Sequence, residues 1–432
     1  MEYYSLNRKA PKTNFENAVI KGLAPDKGLY FPEEITPLPA SFFEDIDNKS
    51  YPEIAFEAIK QFVSPEISED TLKTIVEETL SFDFPVVQLD DSISTLELFH
   101  GPTMAFKDVG ARFMARCLGH FNKNNTKEVT VLVATSGDTG GAVANGFLGV
   151  KGVKVVILYP SGKVSDIQEK QLTTLGQNIT ALEVDGVFDD CQDMVKQAFL
   201  DETITSKIQL TSANSINVAR WLPQLFYFMF AYKQLHKKHD EIVFSIPSGN
   251  FGNICAGMVA QQLGLPIKHF IASNNANNVV TEYLQTAQYN PKPSVATISN
   301  AMDVGNPSNF VRIQEIYNND FKRLQANLSS FSYTDEQTKA ALLEIYKTYN
   351  YVADPHGAVG YLGCKAYLKT NPNAHCVFLE TAHPTKFLDV VENVIKTKVE
   401  LPSQIEAVMD KEKVALQISD YNGLKGFLLN TI

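Results

Sequence analysis

A lysine set among apolar neighbours is a candidate for imine chemistry, and Lys107 lies in Ala105-Phe106-Lys107-Asp108-Val109. Loss of solvent lowers the pKa of an amine and leaves it free to attack a carbonyl. A surface lysine on a helix can have the same sequence neighbours, so composition leaves both readings open. The next candidate is Ser248-Gly249-Asn250-Phe251-Gly252-Asn253, between the apolar run 242–246 and an Ala/Gly-rich stretch. Glycines let the backbone approach a ligand closely, while Ser248, Asn250 and Asn253 add donors or caps. The loop is either a phosphate cradle or a tight turn with ordinary capping.

Three further segments hold polar groups where a strand would give way to a helix. Thr135-Ser136-Gly137-Asp138-Thr139-Gly140-Gly141 offers hydroxyls and N–H groups, chiefly at Ser136 and Thr139, to a carboxylate or phosphate. It lacks both the glycine-lysine spacing of a P-loop and the dinucleotide-binding glycine pattern. Thr381, in Glu380-Thr381-Ala382-His383-Pro384-Thr385-Lys386-Phe387, carries a hydroxyl that can hydrogen-bond a heterocycle nitrogen without imposing a negative charge. Asn214, Ser215 and Arg220 precede the apolar stretch 221–230 and suit a second phosphate. Helix capping explains most of these residues equally well, and Arg220 could be a solvated charge. The histidines include no HExxH, and His236 and His239 are their one close pair, so no metal site is expected.

The elements needed to position these groups are legible. Apolar runs at 129–134, 153–159, 179–184, 242–246, 267–272 and 376–379 alternate with helical patterns such as 167–175. That order argues for α/β architecture with mainly parallel sheets, whose strands are buried on both faces. Residues 1–85 read as an N-terminal helical unit: Thr13 and Glu16 form a capping box, Gly22 stops the first helix, and two amphipathic helices follow around 54–63 and 72–80. The expected division is 1–85, an α/β core over 86–400 with a smaller subdomain near 110–235, and a C-terminal segment 401–432 that the pattern does not place.

Composition bounds the function. Across 432 residues, 49 acidic against 38 basic side chains give a net charge of -11, which disfavours nucleic acid or an anionic membrane as the main partner. No stretch reaches the ~18 apolar residues of a membrane span. Five scattered cysteines without a CxxC pair argue for a reducing, cytoplasmic setting.

Taken in order, these segments resemble the microbial-type threonine synthases, within the fold type II group of pyridoxal-phosphate (PLP) enzymes. The resemblance runs over nearly the whole chain, from Gly22-Leu23-Ala24-Pro25-Asp26-Lys27-Gly28-Leu29-Tyr30-Phe31-Pro32-Glu33 to the Thr381 loop. Its most specific part is His100-Gly101-Pro102-Thr103-Met104-Ala105-Phe106-Lys107-Asp108. It implies two α/β subdomains and a pyridoxal 5'-phosphate cofactor bonded to Lys107. Gly249, Asn250, Phe251 and Asn253 would hold the cofactor phosphate, and Thr381 would face the pyridine nitrogen. Ser136 and Thr139 would take the substrate carboxylate. Asn214, Ser215 and Arg220 would take the phosphate of O-phospho-L-homoserine, with Lys163 as a further contact. The implied reaction is γ-elimination of phosphate followed by β-addition of water, giving L-threonine, in a monomer or homodimer. The similar segments 300–310 and 354–360, the latter with Asp354 and His356, carry no role that the sequence yields. A dehydratase of the same fold, a phosphate-releasing lyase that makes a keto acid, and a non-catalytic phosphate-binding module are the competing readings. The N-terminal segment and Arg220 favour the threonine synthase reading over these, since a dehydratase substrate carries no phosphate.

Overall fold

The computed structural model describes residues 1–123 and 128–431. Two sheets dominate it. One runs Leu328–Ser332, His269–Asn274, Ile242–Pro247, His375–Glu380, Ile93–Glu97, Val86–Gln88, parallel except for the last strand. The other runs Leu416–Ile418, Ile179–Val184, Val153–Pro160, Val129–Ala134, Gln209–Thr211 and is parallel throughout. Every residue of Val129–Ala134, Ile242–Pro247 and His375–Glu380 is buried. Helices cover both faces of such sheets, which is why these strands read as unbroken apolar runs.

Helix Leu225–Leu235 is apolar almost all round and packs against Tyr51–Val63 and Gly252–Gln262. Burial of side chains such as Phe226, Phe228 and Phe230, each fully buried, is worth about 1.5–3 kcal/mol apiece. Ion pairs such as Lys60 with Glu57 and Lys196 with Asp193 are solvent-exposed and contribute about 0–1 kcal/mol each. Apolar packing therefore holds the elements in place.

Local chemistry differs from the sequence expectation at several points. The first helix, Phe15–Lys21, is capped by Asn14, whose side chain accepts from Asn17 N, while Thr13 lies in a short strand. Gly22 ends that helix at φ 71° as expected. Strands Glu2–Ser5, Thr13–Asn14 and Tyr30–Pro32 form an antiparallel sheet in the N-terminal region, beside the expected helices Tyr51–Val63 and Glu69–Thr79. The apolar stretch 221–230 is divided between two helices, Val218–Trp221 and Leu225–Leu235, joined by a 3₁₀ turn containing Pro223. Proline lacks the N–H that a continuous helix would need. The C-terminal segment crosses between the sheets: Ile405 packs with Met104 and Ile167, and Leu416–Ile418 pairs with Ile179–Val184.

Arg312 joins the N-terminal sheet to the site region. Fully buried, it donates to Tyr30 O (2.9 Å), Ile216 O (2.6 Å), Ser215 O (3.1 Å) and Asn309 Oδ1 (2.7 Å), with its guanidinium 4.2 Å above the Trp221 ring. Burial lowers its pKa to about 10, so it remains charged at neutral pH. Lysine keeps the charge but cannot reproduce the planar fork. Arg312→Lys is expected to destabilise the fold by about 2 kcal/mol, because buried carbonyls lose their donors. Urea unfolding checks this, and an unchanged midpoint would show that the fork is dispensable.

Candidate active site

Lys107 is the first residue of helix Lys107–Asn122, and the loop before it is fixed from several directions. Phe106 N donates to Thr381 O (2.9 Å), His383 N to Met104 O (3.1 Å), and Ala105 bridges Ala382 in antiparallel fashion. The Tyr227 hydroxyl donates to Phe106 O. Arg220 Nη1 donates to Lys107 O at 3.0 Å. That approach requires Gly110, where a Cβ would stand 2.6 Å from Arg220 O. The sequence-predicted Lys107, Thr381 and Arg220 are thereby brought together from segments far apart in the chain.

Burial lowers the pKa of the Lys107 amine; the Asp138 carboxylate opposes the shift, and the Lys386 and Arg220 cations add to it. An amine in such a setting gives up its proton more readily than a surface lysine, which favours nucleophilic attack on a carbonyl. Arg220 is itself only 4% exposed, its Nε has no hydrogen-bond partner, and burial lowers its pKa to about 10. A buried guanidinium with a free donor is suited to an oxyanion ligand.

Asp138 and Lys386 are functional candidates that the sequence reading quoted within loops but gave no role. Lys386 Nζ meets Asp138 Oδ1 at 2.8 Å with both side chains buried, and Gln168 Nε2 donates to the same oxygen at 3.0 Å. Burial opposes the Asp138 charge, but the Lys386 and Lys107 cations overcome it and hold the carboxyl below the usual carboxylate range. The partners lie 248 residues apart, a separation over which sequence spacing carries no signal. Ser136 and Thr139, on either side of Asp138, are half-buried at the start of helix Asp138–Phe147. Its opening turn is organised by Thr135, whose Oγ1 accepts from Gly137 N and Gly140 N.

The 248–253 loop follows strand Ile242–Pro247 and leads into helix Gly252–Gln262. Phe251, the residue before that helix, is left-handed at φ 59° and makes no side-chain cap, so the first helical N–H groups stay uncapped by it. At Gly249 a Cβ would lie 2.7 Å from Met302 Cα, so only glycine lets the turn close against that segment. Asn253 Nδ2 donates to Pro247 O, tightening the loop. Asn250 Nδ2 donates to Ser215 Oγ at 2.9 Å, which places the two expected phosphate-binding segments side by side. Helix Val218–Trp221 is capped by Asn217, so neither Asn214 nor Ser215 is consumed as its cap, and Asn214 Oδ1 is buried without a partner. Lys163 is exposed on the turn after Val153–Pro160.

An amine-bearing lysine, a glycine turn that leads into a helix N-terminus and a buried threonine at a neighbouring strand end together fit a ligand that carries a carbonyl, a phosphate and a heterocycle. All these loops leave the carboxyl ends of parallel strands, where ligands of α/β proteins bind. Among the described residues no helix is long and apolar enough to cross a membrane, and no group of His, Cys, Asp and Glu side chains could hold a metal ion.

Residues 93–381 match the family model described as pyridoxal-phosphate dependent enzyme. Residues 2–80 match threonine synthase N terminus, and 357–427 match threonine synthase, C-terminal. The chain is 42% identical over 435 residues to threonine synthase of Buchnera aphidicola from Acyrthosiphon pisum, covering 99% of this chain and all of that one. The crystal structure of threonine synthase from Escherichia coli superposes with a TM-score of 0.94 at 39% identity over the full length of both chains. The PLP-bound threonine synthase from Brucella melitensis gives 0.93 at 32% identity, covering 99% of this chain and 98% of that one. With the lysine loop and the threonine loop bonded to each other, and with likeness extending from end to end, the chain belongs to the threonine synthase family of pyridoxal-phosphate-dependent enzymes.

Proposed function

We propose that this chain converts O-phospho-L-homoserine and water to L-threonine and inorganic phosphate, with pyridoxal 5'-phosphate held at Lys107. The observation that carries this reading is the placement of the half-buried Lys107 beside the buried Arg220 and within electrostatic reach of the Asp138–Lys386 pair. The turn at Gly249, Asn250, Phe251 and Asn253 would hold the cofactor phosphate, and the Thr381 hydroxyl would meet the pyridine nitrogen. When bound, PLP supplies the electron sink that makes the substrate Cα proton removable.

The chain's own groups divide the remaining work. Lys107 Nζ takes the Cα proton and later returns protons to the carbon chain, acting as both base and acid. Arg220, with Asn214 and Ser215, grips the substrate phosphate. Ser215 Oγ already accepts from Asn250 Nδ2 (2.9 Å) and Asn309 Nδ2 (3.0 Å), so its own proton is the part left to donate. Ser136 and Thr139 hold the substrate carboxylate and so orient Cα toward Nζ. Over the whole reaction the Cγ–O bond breaks and phosphate leaves with the bonding pair, Cβ gives up one hydrogen as a proton and takes the hydroxyl of water, and Cγ takes up a proton in place of the phosphate.

The test is to supply PLP-loaded protein with O-phospho-L-homoserine and follow phosphate and threonine together. Equal yields support the reading. Phosphate with a keto acid would retain the site but replace the reaction, and the absence of both products would overturn it. In the same assay Arg220→Ala is expected to raise KM roughly 30-fold, the value of one charge-assisted contact. An unchanged KM would move the substrate phosphate elsewhere. The reading extends to a cytoplasmic setting, since all five cysteines are free and buried, and to a monomer or homodimer, which light scattering decides.

A further inference from the structure

Residues 300–310 and 354–360, which had no role at the level of sequence, meet behind the 248–253 turn. The first segment forms the outer wall of that turn. Met302 Cα and Ala301 O would stand 2.7 and 2.9 Å from a Cβ on Gly249, while Ser308 N donates to Asn250 Oδ1 (2.6 Å) and Asn309 Nδ2 to Asn250 O (3.1 Å). The second segment holds the wall from outside. Ala301 N donates to His356 Nε2 at 3.2 Å, so that ring nitrogen is an acceptor and the ring proton sits on Nδ1, 2.6 Å from Asp354 Oδ1. Asp354 N in turn donates to Glu380 Oε2 at 3.2 Å.

None of these side chains is solvent-exposed: His356 is 2% exposed, Asp354 and Glu380 0%. Burial, followed by the charge of Asp354, pushes the pKa of the Glu380 carboxyl well above the usual carboxylate range. Glu380 immediately precedes Thr381, so one buried chain of hydrogen bonds runs from the wall of the glycine turn to the residue expected to face the cofactor ring.

We propose that His356 is a positioning residue for the cofactor phosphate: it fixes Ala301 and Met302 against Gly249 and thereby sets the width of the cup. This rests on the reading that the turn holds the PLP phosphate. The front of the wall has an independent tie, because Asp303 accepts from Thr297 Oγ1 (2.7 Å) and Asn275 Nδ2 (2.8 Å). Loss of the His356 contact should therefore loosen the wall and leave the fold intact.

Two substitutions separate positioning from simple packing. His356→Asn offers an amide near the place of ring Nδ1 and no acceptor for Ala301 N, whereas His356→Gln offers an acceptor near the place of Nε2. For His356→Asn, the Kd for PLP should rise about tenfold, and the amides of 299–310 should exchange faster in the PLP-loaded protein. His356→Gln should restore both towards wild type. Equal losses in the two variants, or a folded His356→Asn that binds PLP as wild type does, would overturn the proposal. Should His356→Asn fail to fold, Ala301→Pro removes the donor from the other side, and wild-type PLP affinity in that variant would likewise overturn it. Pyridoxal, which lacks the phosphate, distinguishes the underlying reading: a wild-type chain that binds pyridoxal as tightly as PLP has no phosphate cup. A wild-type chain that prefers PLP, with the preference intact in His356→Asn, would sink only the role of His356.

Discussion

Lys107→Ala is expected to lower phosphate release from O-phospho-L-homoserine by at least about 10³-fold, with PLP added in excess. Alanine removes the atom that binds the cofactor and the atom that moves the proton, and the nearby cations offer no replacement. Arg220 stays protonated at neutral pH, with its pKa only down to about 10. The Lys386 ammonium is engaged by Asp138 at 2.8 Å. A specific outcome accompanies the rate loss: after borohydride treatment, wild-type protein should carry a covalently fixed cofactor and Lys107→Ala should not. A variant with near-normal turnover, or one that still fixes the cofactor, would remove Lys107 from the mechanism. The pH dependence carries the same signature. Because burial lowers the Lys107 pKa, the free amine persists to lower pH than for an exposed lysine, and activity should extend correspondingly toward neutral pH.

Those parts of the fold that lie in fully buried parallel strands were legible because nothing interrupts their apolar runs. Val129–Ala134 and Ile179–Val184 coincide with their sequence expectations. Ile93–Glu97 is not legible as a strand although it pairs with neighbours on both sides, because Ser94 and Thr95 break the apolar pattern. Both hydroxyls are satisfied inside, Ser94 Oγ with His375 Nε2 (2.9 Å) and Thr95 Oγ1 with Phe378 O (3.2 Å). A buried polar residue with a partner behaves as core, yet reads as surface in a linear pattern. The edge strands Leu328–Ser332 and Leu416–Ile418 are short and partly exposed, so they carried little periodicity.

In the candidate site, the loops were visible because glycine, serine and asparagine cluster after apolar runs, a local property of sequence. What those loops touch was not visible. Pairing of Asp138 with Lys386, the grip of Arg312 on Tyr30, and the contact of His356 with Ala301 all depend on long-range closure. Single residues of this kind have no spacing to betray them. A buried arginine looks in sequence like any surface arginine, and only its carbonyl partners set it apart.

The second large effect is expected at that same Asp138. Its carboxylate faces Lys386 and lies within electrostatic reach of Lys107. Asp138→Asn preserves shape and leaves the Lys386 ammonium buried without a counter-charge, a loss of about 3–5 kcal/mol. Urea unfolding at neutral pH should report it, and a loss below about 1 kcal/mol would mean that the pair is no stronger than a surface ion pair. Acid dependence fixes the sign independently. Asp138 has a depressed pKa in the folded chain, so its contribution is fully present above the unfolded value of about 3.9 and declines as pH falls through the lower folded value. Wild-type protein should therefore lose part of its advantage over Asp138→Asn as pH drops below about 4, with the difference shrinking further at lower pH. At the active amine the same substitution acts in one direction only. Removing the charge that raises the Lys107 pKa leaves the lowering effects of burial, Lys386 and Arg220 unopposed. The acidic limb of the rate profile should consequently move to lower pH in Asp138→Asn. A shift to higher pH would show that Asp138 does not act on Lys107 through its charge.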